Sequence, residues 1–230
     1  MKILRIISTF VLIACAIFLI PASAEAGEVP EIKGEAYVLM DAANGNILTQ
    51  KNADVKWYPA STTKIMTLVL ALEEIADGNL NYNDKVVVSD YAASMGGSQV
   101  YLYPGETRTL KDMLIAIAVG SANDACVAVG EHMAGSNQAF IDMMNEKAKE
   151  LGMTHTHFMN CHGLHDPNHY TTAGDMAKLA LYAISVPDLL KFTSIYEYDF
   201  RTGPKPLKFW STNRLLKWYD GVDGLKTGTT

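Results

Sequence analysis

The chain has 230 residues, a formal net charge of −6 at neutral pH, and 49% hydrophobic residues. No basic cluster offsets the negative charge, which argues against a nucleic-acid partner and gives no reason to expect electrostatic attraction to an anionic membrane. Because we find no internal repeat, low-complexity tract or linker, we expect one large domain after the N-terminal segment.

The first 26 residues are typical of an export signal. Two basic residues precede an apolar stretch over residues 6–20, and a proline and small residues follow it. The stretch is short for a membrane span, so we expect cleavage after Ala24 or Ala26. Lipidation at Cys15 is an alternative, since the residues before it resemble a bacterial lipoprotein box. The apolar residues directly after Cys15 argue against lipidation.

The remaining elements are predicted in chain order from turn signals and periodicity. Two strands flank Asn44-Gly45, a strong hairpin signal, and a helix follows that includes Ser61 in its first turns and ends before Asp77. Helices are predicted over residues 110–119, 123–133, 138–151 and 173–184, and strands over 35–41, 46–51, 192–200, 208–211 and 222–229. Strands at both ends of a helical middle exclude alternating β-α-β units. They predict an α+β fold in which one antiparallel sheet, assembled from both chain ends, packs against a mainly helical region.

The first helix carries the motif Ser-Thr-Thr-Lys at its start. Ser61 and Lys64 are three residues apart, so their side chains can meet on one helix face. A desolvated lysine can be neutral and take the proton of a serine hydroxyl, which activates the serine as a nucleophile. The motif alone is weak evidence, because a serine near a helix start is usually a cap.

Two further motifs follow at domain-scale spacing. Ser121-Ala122-Asn123 begins 60 residues after Ser61, and Lys226-Thr227-Gly228 begins 105 residues later. The order resembles that of the penicillin-recognising serine acyltransferases. From Glu35 to Thr230 the chain resembles the low-molecular-mass penicillin-binding proteins of the serine-type D-alanyl-D-alanine carboxypeptidase family, which is peptidase S11-like. The segments Tyr58–Ser61, Asn160–Leu164 and Thr171–Asp175 resemble that family's signature loops.

The resemblance implies a β-lactamase/transpeptidase-like fold and a role for each motif residue. Ser61 would be the nucleophile, Lys64 its base, and Ser121 the relay of a proton to the leaving amine. The substrate-binding residues implied are Asn123, Lys226, Thr227, Gly228 and Thr229. The oxyanion hole implied consists of the backbone N–H groups of Ser61 and Thr229. We expect glycine at 228 because a side chain there would obstruct the substrate.

The implied substrate is a peptidoglycan stem peptide ending in D-Ala-D-Ala, with β-lactams as covalent inhibitors and no cofactor or metal. Such an enzyme would be exported to the extracytoplasmic face of the bacterial membrane, cell wall or periplasm, and would serve cell-wall synthesis and cell shape. Residues 27–230 would form its catalytic domain, truncated at the C-terminus. The absent part is the expected site of peripheral membrane association. Thr229 stands where some relatives carry His, which bears on substrate recognition.

Several alternatives remain at the level of sequence. A D,D-endopeptidase would use the same motifs. A class A β-lactamase is disfavoured, because no Glu-x-x-Leu-Asn segment lies between Ser121 and Lys226 and the middle motif is Ser-Ala-Asn. A penicillin-sensing binding module would acylate without turnover. Five histidines between His155 and His169 suggest a zinc hydrolase, although their spacing lacks the His-Glu-x-x-His signature.

Overall fold

The computed structural model describes residues 32–229, so the predicted signal peptide and the lipoprotein-box alternative lie outside the described residues. The strands are β1 (Tyr37–Met40), β2 (Ile47–Lys51), β3 (Lys85–Val87), β4 (Thr107–Thr109), β5 (Glu197–Arg201) and β6 (Leu207–Trp210). The helices are α1 (Lys64–Ala76), α2 (Asp90–Ala93), α3 (Leu110–Ala118), α4 (Asn123–Ala134), α5 (Asn137–Glu150), α6 (Ala173–Ala183), α7 (Leu189–Thr193) and α8 (Leu215–Trp218). A 3-10 turn at Ala60–Thr63 precedes α1.

Several helices begin where the sequence supplies a side-chain cap. Thr109, Ser136 and Thr172 each accept a hydrogen bond from the backbone N–H three residues further along, at the starts of α3, α5 and α6. Each bond satisfies a donor that the first helical turn leaves unpaired. α4 ends at Gly135, whose φ of 77° a glycine adopts without steric cost. The four helices predicted in the middle of the chain are therefore confirmed.

Helices α1 and α4 run through the hydrophobic core. Residues 64–72 of α1 and residues 123–130 of α4 are all buried, and α4 packs against α1, α3 and α5. A helix buried on every side belongs at the centre of a domain. The two polar residues that open these helices, Lys64 and Asn123, are thereby held inside the protein. Within residues 32–229, no helix has both the length and the apolar composition needed to cross a membrane.

The strands form three antiparallel pairs, β1 with β2, β3 with β4, and β5 with β6. The predicted hairpin around Gly45 is confirmed, and so is the mixed class of helices with antiparallel strands. The pairs do not join into one sheet within the described residues. A hairpin needs only its own turn, whereas a sheet shared by both chain ends needs long-range pairing, which strand periodicity does not specify. Residues 222–229, predicted to be a strand, have no strand partner among residues 32–229.

Two boundaries differ from the prediction for local reasons. Phe192 belongs to α7 rather than to a strand, because Leu189 and Phe192 face the core from successive turns. The strand that follows begins only at Glu197. Ser61 lies in the 3-10 turn before α1 rather than in the α-helix itself. The separation of three residues still brings its side chain to Lys64, because a 3-10 turn places residues i and i+3 above one another.

Candidate active site

A cleft of about 250 Å³ opens where the start of α1, the start of α4 and the C-terminal segment meet. Seven of the eight predicted site residues line it, and the eighth, Lys64, lies beneath with no exposed surface. The residues lining the cleft are Ala60, Ser61, Gly97, Ser98, Ser121, Asn123, His162, Gly163, Leu164, Thr212, Lys226, Thr227, Gly228 and Thr229.

The Lys64 ammonium group has three hydrogen-bond partners. Its Nζ lies 3.1 Å from Ser61 Oγ, 2.7 Å from Asn123 Oδ1 and 2.5 Å from the backbone oxygen of His162. The two carbonyl oxygens can only accept hydrogen bonds, whereas a hydroxyl can also donate one. When Lys64 is neutral, its two N–H groups therefore serve the carbonyls and its lone pair faces the Ser61 hydroxyl. In this arrangement the neutral amine could accept the proton of the Ser61 hydroxyl.

Burial also favours the neutral form of this amine. It lowers the pKa of Lys64 from its usual value; the nearby Asp124 opposes the shift, as Cys126 and Cys161 would only as thiolates. Burial raises the pKa of Cys126 to about 12 and that of Cys161 well above its ordinary value, so both thiols are uncharged at neutral pH. Both cysteines are free. Asp124 is then the one carboxylate among these neighbours that could stabilise the protonated lysine.

Ser121 and Asn123 form the opposite wall. Ser121 is 3% exposed and has a φ of 58°, a region that costs a non-glycine residue strain and is found preferentially at functional sites. Besides accepting from Lys64, Asn123 donates from Nδ2 to the Gly96 oxygen at 2.7 Å. Its backbone N–H donates to the Ser98 oxygen, also at 2.7 Å. Asn123 thus ties the lysine to the loop that borders the cleft.

The loop that borders the cleft, at residues 96–102, is fixed by a buried carboxylate whose role was not predicted from the sequence. Asp124 has no exposed surface and accepts hydrogen bonds from the backbone N–H groups of Val100, Leu102 and Ala125. Burial raises the pKa of Asp124. Its partners are backbone donors rather than a cation, so Asp124 anchors the loop after Gly97 to the first turn of α4.

The segment at residues 226–229 forms the third wall. Lys226 Nζ donates to the Thr227 oxygen at 3.0 Å, and Thr227 Oγ1 lies 2.5 Å from Thr212 Oγ1. Burial, followed by the positive charge of Lys64, lowers the pKa of Lys226 to about 8. Lys226 therefore still carries positive charge at neutral pH, where an anionic group in the cleft would meet it.

The structure gives glycine at 228 a reason beside the predicted clearance for a substrate. A Cβ there would lie 3.1 Å from the Pro59 oxygen, 3.3 Å from Thr62 Cγ2 and 3.4 Å from Ala60 Cβ. These atoms belong to the turn that carries Ser61, so a side chain at 228 would press against that turn. Gly228 lets the C-terminal segment pack directly against that turn.

The Asn160–Leu164 loop, predicted only as a family-like segment with no role in the site, takes part in it. Asn160 Oδ1 accepts from the N–H groups of His162 and Gly163, and Asn160 Nδ2 donates to the Leu164 oxygen. Gly163 has a φ of 93°, and a Cβ on it would lie 1.8 Å from the Ala60 oxygen. This folded loop presents the His162 oxygen to Lys64. The available signal was the Asn-x-x-Gly pattern, which is typical of a tight turn.

The segment at residues 159–169 is joined to α1 and to the 3-10 turn before it by two further contacts. Thr67 Oγ1 donates to the Cys161 oxygen at 2.7 Å. His169 Nδ1 accepts from the Met159 N–H at 2.9 Å, so its neutral ring donates from Nε2 to Thr63 Oγ1 at 2.8 Å. Burial lowers the pKa of His169 to about 4, which keeps the ring neutral.

The histidine-rich segment does not assemble a metal site in the part of the chain that the structure describes. No group of three or more His, Cys, Asp or Glu side chains converges there in a way that could hold an ion. His162 and His169 are buried, and burial lowers the pKa of His162 to about 3. His155 is exposed at the surface. The segment therefore serves the loop beside Lys64 rather than a shared ligand set.

Comparison with known proteins decides the family. A family model described as D-alanyl-D-alanine carboxypeptidase, peptidase S11, matches residues 23–230. The chain belongs to this family. A curated Bacillus subtilis relative, the D-alanyl-D-alanine carboxypeptidase DacF, is 46% identical over 200 residues, which are 86% of this chain and 51% of the relative. The chain thus spans about half the length of that relative.

Solved structures agree with the assignment. The Francisella tularensis D-alanyl-D-alanine carboxypeptidase DacD is 33% identical, with a TM-score of 0.83 over 87% of this chain and 60% of that one. Penicillin-binding protein D2 of Listeria monocytogenes, solved with ampicillin bound, is 32% identical, with a TM-score of 0.75 over 87% of this chain and 82% of that one. These similarities confirm the predicted family and the penicillin-binding-protein fold.

Proposed function

We propose that the protein is a serine D-alanyl-D-alanine carboxypeptidase that removes the terminal D-alanine of peptidoglycan stem peptides. The observation that carries the proposal is the contact between Lys64 Nζ and Ser61 Oγ, with two carbonyl oxygens occupying the amine's other hydrogen-bonding positions. Family membership supplies the substrate class. The remaining steps use side chains that line the same cleft.

Acylation would begin when Ser61 Oγ attacks the carbonyl carbon between the two D-alanines while its proton passes to neutral Lys64. Among residues 32–229, no acceptor is hydrogen-bonded to the N–H of Ser61 or to that of Thr229, so both donors are available to a developing oxyanion. Ser121 is the hydroxyl placed to pass a proton to the departing amine. Water then hydrolyses the ester and releases the shortened peptide.

Binding of the substrate carboxylate falls to the segment that follows Lys226. Its ammonium group supplies the positive charge, and the hydroxyls of Thr227 and Thr229 can donate to carboxylate oxygens. Asn123 retains a second Nδ2 proton beyond the one given to Gly96, and this proton can bind the substrate amide. Gly228 acts indirectly, by letting this segment approach the nucleophile turn.

The wider setting is part of the proposal. Residues 27–230 would belong to a transpeptidase-like catalytic domain that follows a cleaved export signal and works outside the cytoplasm, on the cell wall. The ampicillin-bound relative supports β-lactams as covalent inhibitors. No step in the mechanism calls for a cofactor. Membrane association of the protein would be peripheral.

One observation weighs against β-lactamase activity. A class A β-lactamase uses a carboxylate to activate the deacylating water. In the described part of the chain, the residues that line the cleft include no Asp or Glu. The acyl-enzyme formed with penicillin should therefore be long-lived. A D,D-endopeptidase would use the same residues, and the two activities differ in whether the bond cleaved releases free D-alanine or separates two cross-linked peptides.

The test is release of D-alanine from a synthetic peptide ending in D-Ala-D-Ala, measured beside hydrolysis of a cross-linked muropeptide. We expect D-alanine release by the wild type, none by Ser61→Ala, and normal release by Ser94→Ala, a matched control at an exposed serine. Cleavage of the cross-linked substrate alone would favour the endopeptidase. Release of D-alanine by Ser61→Ala would refute the assignment of the nucleophile.

A further inference from the structure

Thr212 lies in the catalytic cleft, but neither the sequence motifs nor the proposed function gives it a role. It lines the cleft together with Lys226 and Thr227. Its Oγ1 lies 2.5 Å from Thr227 Oγ1, although the two residues are 15 positions apart in the chain. Thr212 is exposed, whereas Thr227 is half-buried. The hydroxyl that the proposed function offers to the substrate carboxylate therefore already contacts a second hydroxyl.

The backbone on both sides of Thr212 is held in place. Asn213 Nδ2 donates to the Gly224 oxygen at 3.0 Å, which joins this turn to the C-terminal segment. The Ser211 N–H donates to the Tyr196 oxygen at 2.6 Å, just before β5. The Asn213 N–H also donates to Ser211 Oγ at 3.2 Å, which closes a turn around Thr212. The contact between the two hydroxyls therefore rests on a fixed backbone.

The number of protons sets the direction of the hydrogen bond between the two hydroxyls. A threonine hydroxyl can donate one hydrogen bond and accept two. When Thr227 donates its proton to a carboxylate, its contact with Thr212 must use the proton of Thr212. Among residues 32–229, no other group is hydrogen-bonded to Thr227 Oγ1. Thr212 is exposed, so water can occupy its acceptor positions.

We propose that Thr212 is a positioning residue for substrate binding, which donates a hydrogen bond to Thr227 Oγ1 and so directs the Thr227 proton to the carboxylate of the terminal D-alanine. The inference rests on the proposed function, because that function assigns the carboxylate to Thr227. A hydroxyl that accepts one hydrogen bond donates a stronger one, so the two bonds reinforce each other. Loss of the Thr212 hydroxyl should therefore weaken substrate binding and leave the chemical step nearly unchanged.

The first test measures D-alanine release from an N-acetylated peptide ending in D-Ala-D-Ala. One hydrogen bond between neutral groups corresponds to roughly a fivefold change in binding. We expect KM to rise roughly fivefold in Thr212→Val, which keeps the shape of the side chain but has no hydroxyl, while kcat stays within about twofold of wild type. Thr212→Ala should behave in the same way. Thr212→Ser, which keeps the hydroxyl, should have nearly the wild-type KM.

A matched control separates the hydroxyl contact from general effects of the substitution. Thr202 is an exposed threonine between β5 and β6, and it does not line the cleft. Thr202→Val should therefore keep the wild-type KM and kcat. A rise in KM of the same size in Thr202→Val or in Thr212→Ser would overturn the inference, because the effect would then not come from the Thr212 hydroxyl.

A double-mutant cycle tests whether Thr212 acts through Thr227. Thr227→Val should itself raise KM, because it removes a donor to the carboxylate. In the Thr227→Val background, Thr212→Val should change KM by less than about twofold, since the hydroxyl that it positions is absent. A full fivefold rise in that background would overturn the inference, because Thr212 would then act on the substrate directly or on the fold.

The outcomes also separate this inference from the proposed function. If the wild type releases D-alanine but Thr212→Val has an unchanged or lower KM, the inference is wrong and the proposed function stands. If Thr227→Val leaves KM unchanged, the carboxylate is not bound by Thr227 and the inference is wrong with that assignment. Failure of the folded wild type to release D-alanine would overturn both the proposed function and the inference.

Discussion

Replacing Gly163 by alanine should damage acylation far more than its small size suggests. The added Cβ would lie 1.8 Å from the Ala60 oxygen and 3.0 Å from the Ser61 nitrogen. Other heavy atoms essentially never lie closer than 3.0 Å to a Cβ, so the backbones at residues 60 and 163 must separate by about 1.2 Å. That separation moves the Ser61 turn away from the His162 oxygen that orients Lys64.

The expected cost has two parts. The left-handed backbone at residue 163 adds about 1 kcal/mol of strain for alanine. Displacement of catalytic groups by about 1 Å can cost roughly 100-fold in rate, equivalent to about 2.7 kcal/mol of barrier. We therefore expect the second-order rate constant for acylation by penicillin to fall about 100-fold in Gly163→Ala.

The assay is intact-mass measurement of the penicillin adduct against time, with thermal unfolding of the same samples. Gly152→Ala is the matched control, since its φ of 67° carries similar strain but a Cβ there meets nothing within 4 Å. It should lose about 1 kcal/mol of stability and acylate normally. If Gly163→Ala acylates as fast as Gly152→Ala, the packing of this loop against the nucleophile turn does not control the site.

Four other outcomes follow from the site. Lys64→Met should lower the acylation rate by roughly 1,000-fold, the middle of the range typical for loss of a general base, while circular dichroism stays close to wild type; acylation within tenfold of wild type would exclude Lys64 as the base. The acylation rate should rise with pH as Lys64, whose pKa is lowered, becomes neutral. KM for a D-Ala-D-Ala peptide should rise above about pH 8 as Lys226 loses its charge. In Lys226→Met this rise in KM should be absent, which would identify Lys226 as the titrating group. His169→Leu leaves the buried Thr63 hydroxyl and a backbone N–H without partners, so differential scanning calorimetry should show a loss of about 2 kcal/mol, or roughly 5 °C in Tm. Treatment with EDTA should leave D-alanine release unchanged, and loss of activity that zinc restores would revive the metal-hydrolase alternative.

The sequence was informative where structure depends on neighbours along the chain. The meeting of Ser61 and Lys64 needs only a separation of three residues in a helical turn, and it is confirmed at 3.1 Å. The cap at Thr109 and the hairpin at Gly45 depend equally on local chemistry. These features could be predicted because a short stretch of residues contains both the cause and the result.

Features that depend on distant segments could not be predicted in the same way. The His162 oxygen bonded to Lys64 comes from 98 residues further along the chain, and the need for glycine at 163 arises from its contact with Ala60. The close approach of Gly228 to Pro59 was not predicted either, because the two residues are remote in sequence. The single sheet expected from both chain ends depends on long-range pairing, which strand periodicity does not specify.

The central claim is that Ser61, oriented by Lys64, is an acylating nucleophile, and covalent trapping tests it most directly. The wild type and Ser61→Ala are each incubated with penicillin, and the adduct is followed by intact mass over hours and located by peptide mapping. The account predicts one stable adduct, on the peptide that contains Ser61, and none in Ser61→Ala. An adduct at another residue, or untouched penicillin with a folded wild-type protein, would contradict it.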